Sequence, residues 1–490
     1  MSESRKNFGG NVTITPGRVA APRSEAEVVG ILEWCARENR RVHVVGALHS
    51  WSSLTECPDV MLDLRELHEV RILRRADGPV VQAGAGATIA KILSALAREN
   101  LTLPTVGAIG RQTIAGAVAT ATHGSGRQSL SHFVKAMRIA CLDAGAGVPA
   151  VLEFDETSRR GDLDAARVGL GYVGVVVSVT LSVVEQYRVE ESLAMLTSLR
   201  DDVLAGADIY PLQQFAVVPY AWRYYTFRRR IRTSRPAPSR MRWAAVRAYR
   251  AYKLVIVDCL LHGLVKLMAW WSRGPFIRLF YGKMFPAMAL RDVSFIDRSD
   301  RVLMLRHDLY THLEMEAFVP ESHVEQALTL VRYLTEVFAH DGAAPDKLPD
   351  QLRLTLKAVP GALERLAEKY GTFTYHYVIN CRRVLPESAL LAPTAGDQAY
   401  YTLSFFSFDT GDSEAFLDYC RLLADCLVVL YGARLHWGKC FPLSYGDGAR
   451  VMYTEERLRS FREVCRRYDP RGLLLNRYAG EILGFDPQAG

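Results

Sequence analysis

The stretch that most restricts how this chain can fold is residues 42–63, VHVVGALHSWSSLTECPDVMLD. Val42, Val44 and Val45 form an apolar run that reads as a buried strand. It breaks at Gly46-Ala47-Leu48-His49-Ser50, where small residues let backbone N–H groups approach a ligand and Ser50 adds a hydroxyl donor. His49 sits in that turn rather than on an apolar face. A glycine followed by a polar pair after a strand is common, so the turn gains weight from two other segments. Residues 105–126 are dense in small residues, and HWGK stands at 436–439, near the C-terminus.

The elements around the turn follow from caps and periodicity. Ser24-Glu25-Ala26-Glu27 is a capping box, and Val28, Ile31, Leu32 and Cys35 follow at helical spacing into the Val42 strand. Asp63-Leu64 closes a short strand. Val80 to Ala83 is another, and Thr88 caps a helix with Ile89, Ile92, Leu93 and Leu96 on one face. The GAGATIA sequence between them lacks the glycine spacing and the later acidic residue of a dinucleotide fingerprint, which argues against that reading. In residues 105–126, Gly107, Gly110, Gly116, Gly124 and Gly126 alternate with Ala115, Ala117, Ala119 and Ala121, and Thr113, Thr120, Thr122 and Ser125 supply hydroxyls. Backbone amides crowded this way can cradle a pyrophosphate and leave a flat face for a ring system; a tightly packed turn without ligand is the plainer alternative. Met137, Ile139 and Cys141 form a hairpin with residues 151–154 through a turn at 143–147. Residues 169–174, GLGYVG, then lead into a continuous strand to Val184.

From residue 188 the pattern changes. Residues 223–250 hold ten Arg and no acidic residue. Residues 254–271, LVIVDCLLHGLVKLMAWW, are nearly long enough to span a bilayer, yet Asp258, His262 and Lys266 make a polar stripe that a spanning helix would rarely carry. A core helix, a cover over a channel, a subunit contact and an interfacial helix on a membrane surface all fit. Residues 312–320, HLEMEAFVP, 375–383 and 401–408 read as strands, and 325–338 as a helix.

Four motifs, GALHSWS, GAIGRQTIAGAVATATHGSG, HWGK and DPRGLLLNRY, stand in this order, and through them the chain resembles the aldonolactone oxidase and alditol oxidase branch of the vanillyl-alcohol-oxidase-type (PCMH-type) flavoproteins. The resemblance covers roughly the first 190 and the last 60 residues well and the middle loosely. It implies an α+β fold: a two-part FAD-binding domain, N-terminal with a C-terminal return, and an α+β cap carrying a mixed or antiparallel sheet. The boundaries expected are 1–187 for the FAD domain and 188–430 for the cap, with a basic and apolar helical insertion near 220–290, and 431–490 for the returning segment. FAD contacts are implied for Gly46, Ala47, Leu48, His49, Ser50, Gly107, Ala108, Thr113, Gly116, Thr120, Thr122, His123, Gly124, Gly174, Val175 and Val176. His49 matches the histidine joined covalently to the flavin, and no Cys lies in 105–110 to make a second bond. Gly107 falls where a small residue accompanies access of O2, which favours an oxidase yielding hydrogen peroxide.

Arg382 and Lys439 are the cations implied for the substrate end, with Asn380 and His436 beside them, and no metal. Two positions depart from the lactone- and alditol-oxidising pattern. Asn380 stands where those relatives have Glu, and Ala108 where they have Ser. Asn cannot ionise, so it cannot act as a carboxylate base. With Tyr375, Tyr377, Phe405, Phe406 and Phe408 in the pattern, the pocket is expected to be less polar than a sugar site. Oxidation of an alcohol or lactone carbon is the leading expectation, with a sugar lactone or alditol first and a less polar substrate second. A membrane-associated dehydrogenase using a quinone or carrier, and a flavin-bearing scaffold without turnover, are the rivals.

Composition narrows the setting. The formal charge is +7, and without the ten Arg of 223–250 the balance is 50 basic to 53 acidic residues, which argues against a nucleic-acid partner. MSESRKNFGG has no apolar h-region, and nine Cys lack metal-ligand or CxxC spacing, so a cytoplasmic protein with possible peripheral membrane contact is expected.

Overall fold

The computed structural model describes residues 4–57, 59–143, 145, 147–232, 240–270, 274–305, 310–408, 413–443 and 448–485. Ser24 caps the helix Glu25–Arg37 by accepting from the Glu27 N–H at 3.2 Å, and the helix buries Val28, Leu32 and Cys35. Val42–Val45 is the edge of a three-stranded parallel sheet with Val60–Asp63 and Arg18–Ala20. A five-stranded antiparallel sheet lies beside it in the order Ala150–Asp155, Val134–Cys141, Val175–Ser182, Gly78–Gly84, Val70–Arg75. Helix Ile89–Arg98 begins at Thr88, whose hydroxyl accepts from the Lys91 N–H, and Ile89, Ile92, Leu93 and Leu96 are its buried stripe.

The C-terminus returns to this part of the chain. The Val42 N–H donates to Leu473 O at 2.8 Å, Tyr172 OH donates to Asn476 Oδ1 at 2.8 Å, and Asn476 Nδ2 donates to Leu54 O at 3.1 Å. Asp469 holds the turn by accepting from the Leu473 and Leu474 amides at 3.0 and 2.7 Å. The DPRGLLLNRY motif is thus a clasp on the Val42 strand.

The middle of the chain builds an eight-stranded antiparallel sheet. Its order is Val293–Arg298, Arg188–Leu196, Arg223–Arg232, Gln214–Val218, Ile379–Val384, Tyr400–Ser407, Leu313–Pro320, Arg434–Leu435. Strand alternation gives this sheet two faces of different character. Phe215, Val217, Ile379, Cys381, Leu403, Phe405, Met315 and Ala317 belong to the main apolar core, together with buried residues of helices Val324–Phe338 and Ser413–Tyr431. Gln214, Ala216, Asn380, Arg382, Phe406, Glu314 and Glu316 point the other way, into a large cavity. The antiparallel α+β architecture agrees with the expectation.

Three expectations are corrected. The strand expected at 375–383 spans only Ile379–Val384, because Tyr375 leaves the sheet to fill the core beside Tyr419. Residues 254–271 are not one helix. A π-wound stretch, Lys253–Leu261, separates helices Arg240–Tyr252 and His262–Trp270, and the segment lies among the sheet's apolar residues and Tyr310. His262 turns inward, where Tyr377 OH lies 2.8 Å from its Nε2, so no continuous polar stripe faces solvent; the side chain of Asp258 and residue 271 lie outside the described residues. Three of the ten Arg are neutralised by ion pairs. Arg229 donates to Glu191 at 2.7 Å, Arg232 pairs with Glu190 at 2.6 Å, and Arg250 pairs with Asp297. The acidic partners sit on neighbouring strands, distant in sequence, and 233–239 lie outside the described residues. Among the described residues no helix is long and apolar enough to cross a membrane.

Candidate active site

A cavity of about 710 Å³ runs between the sheets. One end is formed by the Val44–Val45 strand end, the turn after it, residues 107–123 and the Gly169–Gly174 turn; the other lies under the helices of residues 249–289. Gly46, Ala47, Leu48, His49, Ser50, Gly107, Ala108, Thr113, Gly116, Thr120, Thr122, His123, Gly174 and Val176 all line it, as do Asn380, Arg382, His436 and Lys439. Two residues named from the sequence do not. Val175 faces the core beneath the parallel sheet, since it alternates with Val176. Gly124 stands behind the wall, where a Cβ would come 2.8 Å from Val106 O. Of the aromatic residues, Tyr377, Phe406 and Phe408 line the cavity, whereas Tyr375 and Phe405 are in the core on the opposite face.

The turn that carries His49 is held in an unusual shape. Leu48 has φ +53°, a left-handed conformation that costs a residue with a Cβ of order 1–2 kcal/mol. The Phe8 N–H fixes it by donating to Leu48 O at 2.9 Å, and the Phe8 ring lies 4.2 Å from the His49 ring. Burial, with the Lys439 and His312 charges, pushes the His49 pKa down to about 3, so its imidazole is neutral.

HWGK joins this turn to the large sheet. The His436 and Cys440 N–H groups donate to Glu316 O at 3.0 Å and Glu314 O at 2.8 Å. On the other side the Trp51 N–H donates to Gly438 O at 2.9 Å, and Ser52 Oγ donates to Trp437 O at 2.8 Å. Lys439 is carried to the cavity this way, with Nζ 4.3 Å from the Trp51 ring centroid and in ion pair with Glu314. Burial raises the Glu314 carboxyl, but the Lys439 charge and the His312 hydrogen bond overcome it, and the group is held below the usual range.

Glu316 is the second buried carboxylate. Ser404 Oγ donates to it at 2.8 Å, and His123 Nε2 lies 3.5 Å away. The pairing register Asn380↔Ser404↔Glu316 puts these three in one row across adjacent strands. His123, Glu316 and His436 bring candidate metal-ligand atoms within 4.8 Å of one another, but Nδ1 of His436 already accepts from the Gly438 N–H at 3.0 Å. Burial is the main reason the His436 pKa falls to about 3, against the opposing pull of Glu316, so the ring is neutral. Arg382 differs from Lys439: its Nε lies 3.4 Å from Gln214 Oε1, and no ion pair to it is found among the described residues.

The sequence reading missed Glu314, Glu316 and His312. The signal was there: in HLEMEAFVP the polar side chains recur every second residue inside an otherwise apolar strand, so they share one face.

The residues present fit the flavin that the motifs imply. In the wall near His49 threonine side chains lie directly against glycine backbone. A Cβ on Gly46 would come 2.0 Å from Thr113 Oγ1, and one on Gly107 2.6 Å from Thr122 Cγ2. Thr113, Thr120 and Thr122 edge this surface, which suits a long, flat group with a polar end.

Comparison with known proteins agrees. Residues 16–146 match a family described as FAD binding domain, and residues 179–482 one described as D-arabinono-1,4-lactone oxidase. The chain is 36% identical to a long-chain alcohol oxidase from an uncultured marine euryarchaeote, over 99% of this chain and 98% of the relative. It is 26% identical to an L-gulono-1,4-lactone dehydrogenase of Mycobacterium tuberculosis (strain H37Rv), over 99% of this chain and all (100%) of that one. It is 24% identical to the L-gulonolactone oxidase of Bos taurus, over 97% of each. Among solved structures, a cholesterol oxidase from B. sterolicum matches with a TM-score of 0.70 at 14% identity, covering 99% of this chain and 97% of the other, a likeness of fold.

Proposed function

Because the chain belongs to the D-arabinono-1,4-lactone oxidase family of FAD-linked oxidoreductases, we propose that it oxidises the alcohol carbon of a long, largely apolar substrate and returns the electrons to O2 as hydrogen peroxide. The observation that carries this reading is the composition of the cavity beyond Asn380 and Arg382. Leu193, Tyr225, Phe227, Leu261, Phe280, Phe285 and Phe406 line it, which suits an alkyl chain better than a row of hydroxyls. Asn380 and Ala108 withhold the carboxylate and hydroxyl that lactone- and alditol-oxidising relatives place there. The 36% identical relative is named for long-chain alcohols, and the gulonolactone enzymes are more distant at 24–26% identity.

When bound, FAD supplies a hydride acceptor that can be reoxidised by O2. His49 fits a single covalent attachment, because its neutral ring keeps a lone pair available at any pH near 7. Arg382 and Lys439 bring positive charge to the reacting end and favour the alkoxide-like oxygen. Glu314, kept ionised beside Lys439, holds that ammonium at the reacting end of the cavity. His436, neutral and bonded through Nδ1, positions the HWGK turn rather than exchanging protons.

The test is peroxide production with a panel of n-alkanols, aldonolactones and alditols. The expected result is kcat/KM rising with alkanol chain length and little turnover of sugars; preference for a lactone or alditol would overturn the reading. Acid precipitation checks the linkage: the wild-type pellet stays yellow, and the His49→Ala pellet does not.

A further inference from the structure

The cavity passes beneath helices whose outer surface is apolar. Of the fifteen large apolar side chains exposed among the described residues, eight lie within residues 255–288. They recur at helical spacing on the outside: Leu260, Leu264 and Leu267, then Phe276 and Leu279, then Met288. The inner stripe, Val265, Met268, Ile277 and Phe280, is buried against the sheet. Each of these helices therefore has two apolar faces, which a globular domain with one core does not need.

Two further observations say what covers the outer face. Met288 is 70% exposed and also lines the cavity, so the apolar surface and the apolar channel meet there. The basic residues are complementary to an anionic surface: Lys266, Lys283 and Arg291 are exposed around the apolar side chains, against the exposed carboxylate of Asp292 at the segment's end, and Asp258 is the one acidic residue in the sequence from 223 to 291. Apolar side chains rimmed by cations are what a helix lying in the headgroup region of an anionic bilayer presents.

We propose that the outer face of helices His262–Trp270 and Gly274–Leu279, with the segment through Met288, docks on an anionic lipid bilayer and opens the cavity to it, so that the substrate enters from the membrane. This rests on the apolar-alcohol reading of the cavity, but the docking has its own readout. Short helices lying in the interface need not cross the bilayer.

The test is flotation of the flavin-loaded protein with phosphatidylcholine vesicles and with phosphatidylcholine/phosphatidylglycerol vesicles, at low and high salt. Wild type is expected to float with the anionic vesicles and to be released at least in part by salt. Leu260→Asp with Leu267→Asp and Phe276→Asp, none of them cavity residues, should cut partitioning tenfold or more. Lys283→Glu with Arg291→Glu should cut binding to anionic vesicles only. The triple variant should oxidise a soluble short-chain alcohol at the wild-type rate and lose turnover of hexadecanol carried in vesicles. Flavin absorbance and far-UV circular dichroism check that the variants are folded. Wild type left in solution with both vesicle types would overturn the docking, as would equal partitioning of the triple variant. A dimer that the triple variant dissociates would also overturn it, by showing that a second copy covers the face. Flotation without turnover of any alcohol would instead remove the substrate reading and leave the docking standing.

Discussion

Glu314 and Lys439 offer the sharpest perturbation. Their side chains are 8% and 16% exposed, and the pair faces the cavity between Trp51 and His312. Glu314→Gln keeps the shape and removes the charge, leaving Lys439 buried without its counter-ion. Breaking a buried pair from one side costs about 3–5 kcal/mol, and the cavity's partial access to solvent places this case near 3. The reaction should suffer as well, because the ammonium is no longer held over the Trp51 ring. A loss of about 10²–10³ in the rate of flavin reduction is expected, equivalent to about 2.7–4 kcal/mol of transition-state stabilisation. Lys439→Met should show a similar loss. In the double variant the two losses should not add: it should be no slower than the worse single variant, with a coupling of about 2 kcal/mol or more. Stopped-flow bleaching without oxygen gives the rates, and thermal melts at fixed flavin content rank the stabilities. Additive losses, or Glu314→Gln reducing flavin at the wild-type rate, would refute the idea that the pair works as one unit.

Three other outcomes follow from the site. Asn380→Glu should raise the ratio of kcat/KM for an alditol over an alkanol by roughly tenfold or more, since a buried carboxylate left unpaired by an alkyl chain is costly; steady-state peroxide assays read this. Gly46→Ala would place a Cβ 2.0 Å from Thr113 Oγ1, so flavin content, measured by the 450-to-280 nm absorbance ratio, should fall sharply. Acid should destabilise the fold from about pH 6.5 downward. His43 and His436 are depressed to about 4 and about 3 by burial, so between those values and 6.5 the unfolded chain binds more protons and stability is lost as pH falls. Asp469, raised by burial to about 6, works in the opposite direction between about 6 and 4, because the folded form takes up its proton first. His49, depressed likewise to about 3, adds to the two other histidines, so the net effect is a loss of stability as pH falls, and His436→Gln should flatten the melting-temperature profile between pH 6 and 5.

The parts legible in the sequence were those fixed by local rules. Ser24 and Thr88 announce their helices by capping, and Val42–Val45 with the Gly46 turn announces the flavin-facing strand end. Of the sixteen FAD contacts that the motifs implied, fourteen line the cavity. Failures came where partners lie far apart in the chain. Of the ten Arg of 223–250, Arg229, Arg232 and Arg250 find acidic partners that no local pattern announces. Glu314 and Glu316 read as ordinary strand residues, because whether a strand's polar face meets solvent or a cavity depends on what is stacked upon it. Phe405 followed the same rule with the opposite sign: its period placed it in the core, on the face away from Phe406, and Tyr375 reaches that core from outside the sheet. The 254–271 segment misled because its hydropathy records two apolar faces, and sequence alone does not say that His262 belongs to the inner one.

The substrate proposed for this site is an apolar alcohol and not a sugar. That assignment is tested most directly by mixing the purified flavoprotein, without oxygen, with dodecanol and separately with a sugar 1,4-lactone, following the flavin absorbance, and then admitting air. Rapid bleaching by dodecanol and recovery of colour in air, with the lactone leaving the spectrum unchanged, is the predicted result. Bleaching by the lactone and none by dodecanol would contradict it and return Asn380 to the status of a tolerated change in a sugar oxidase.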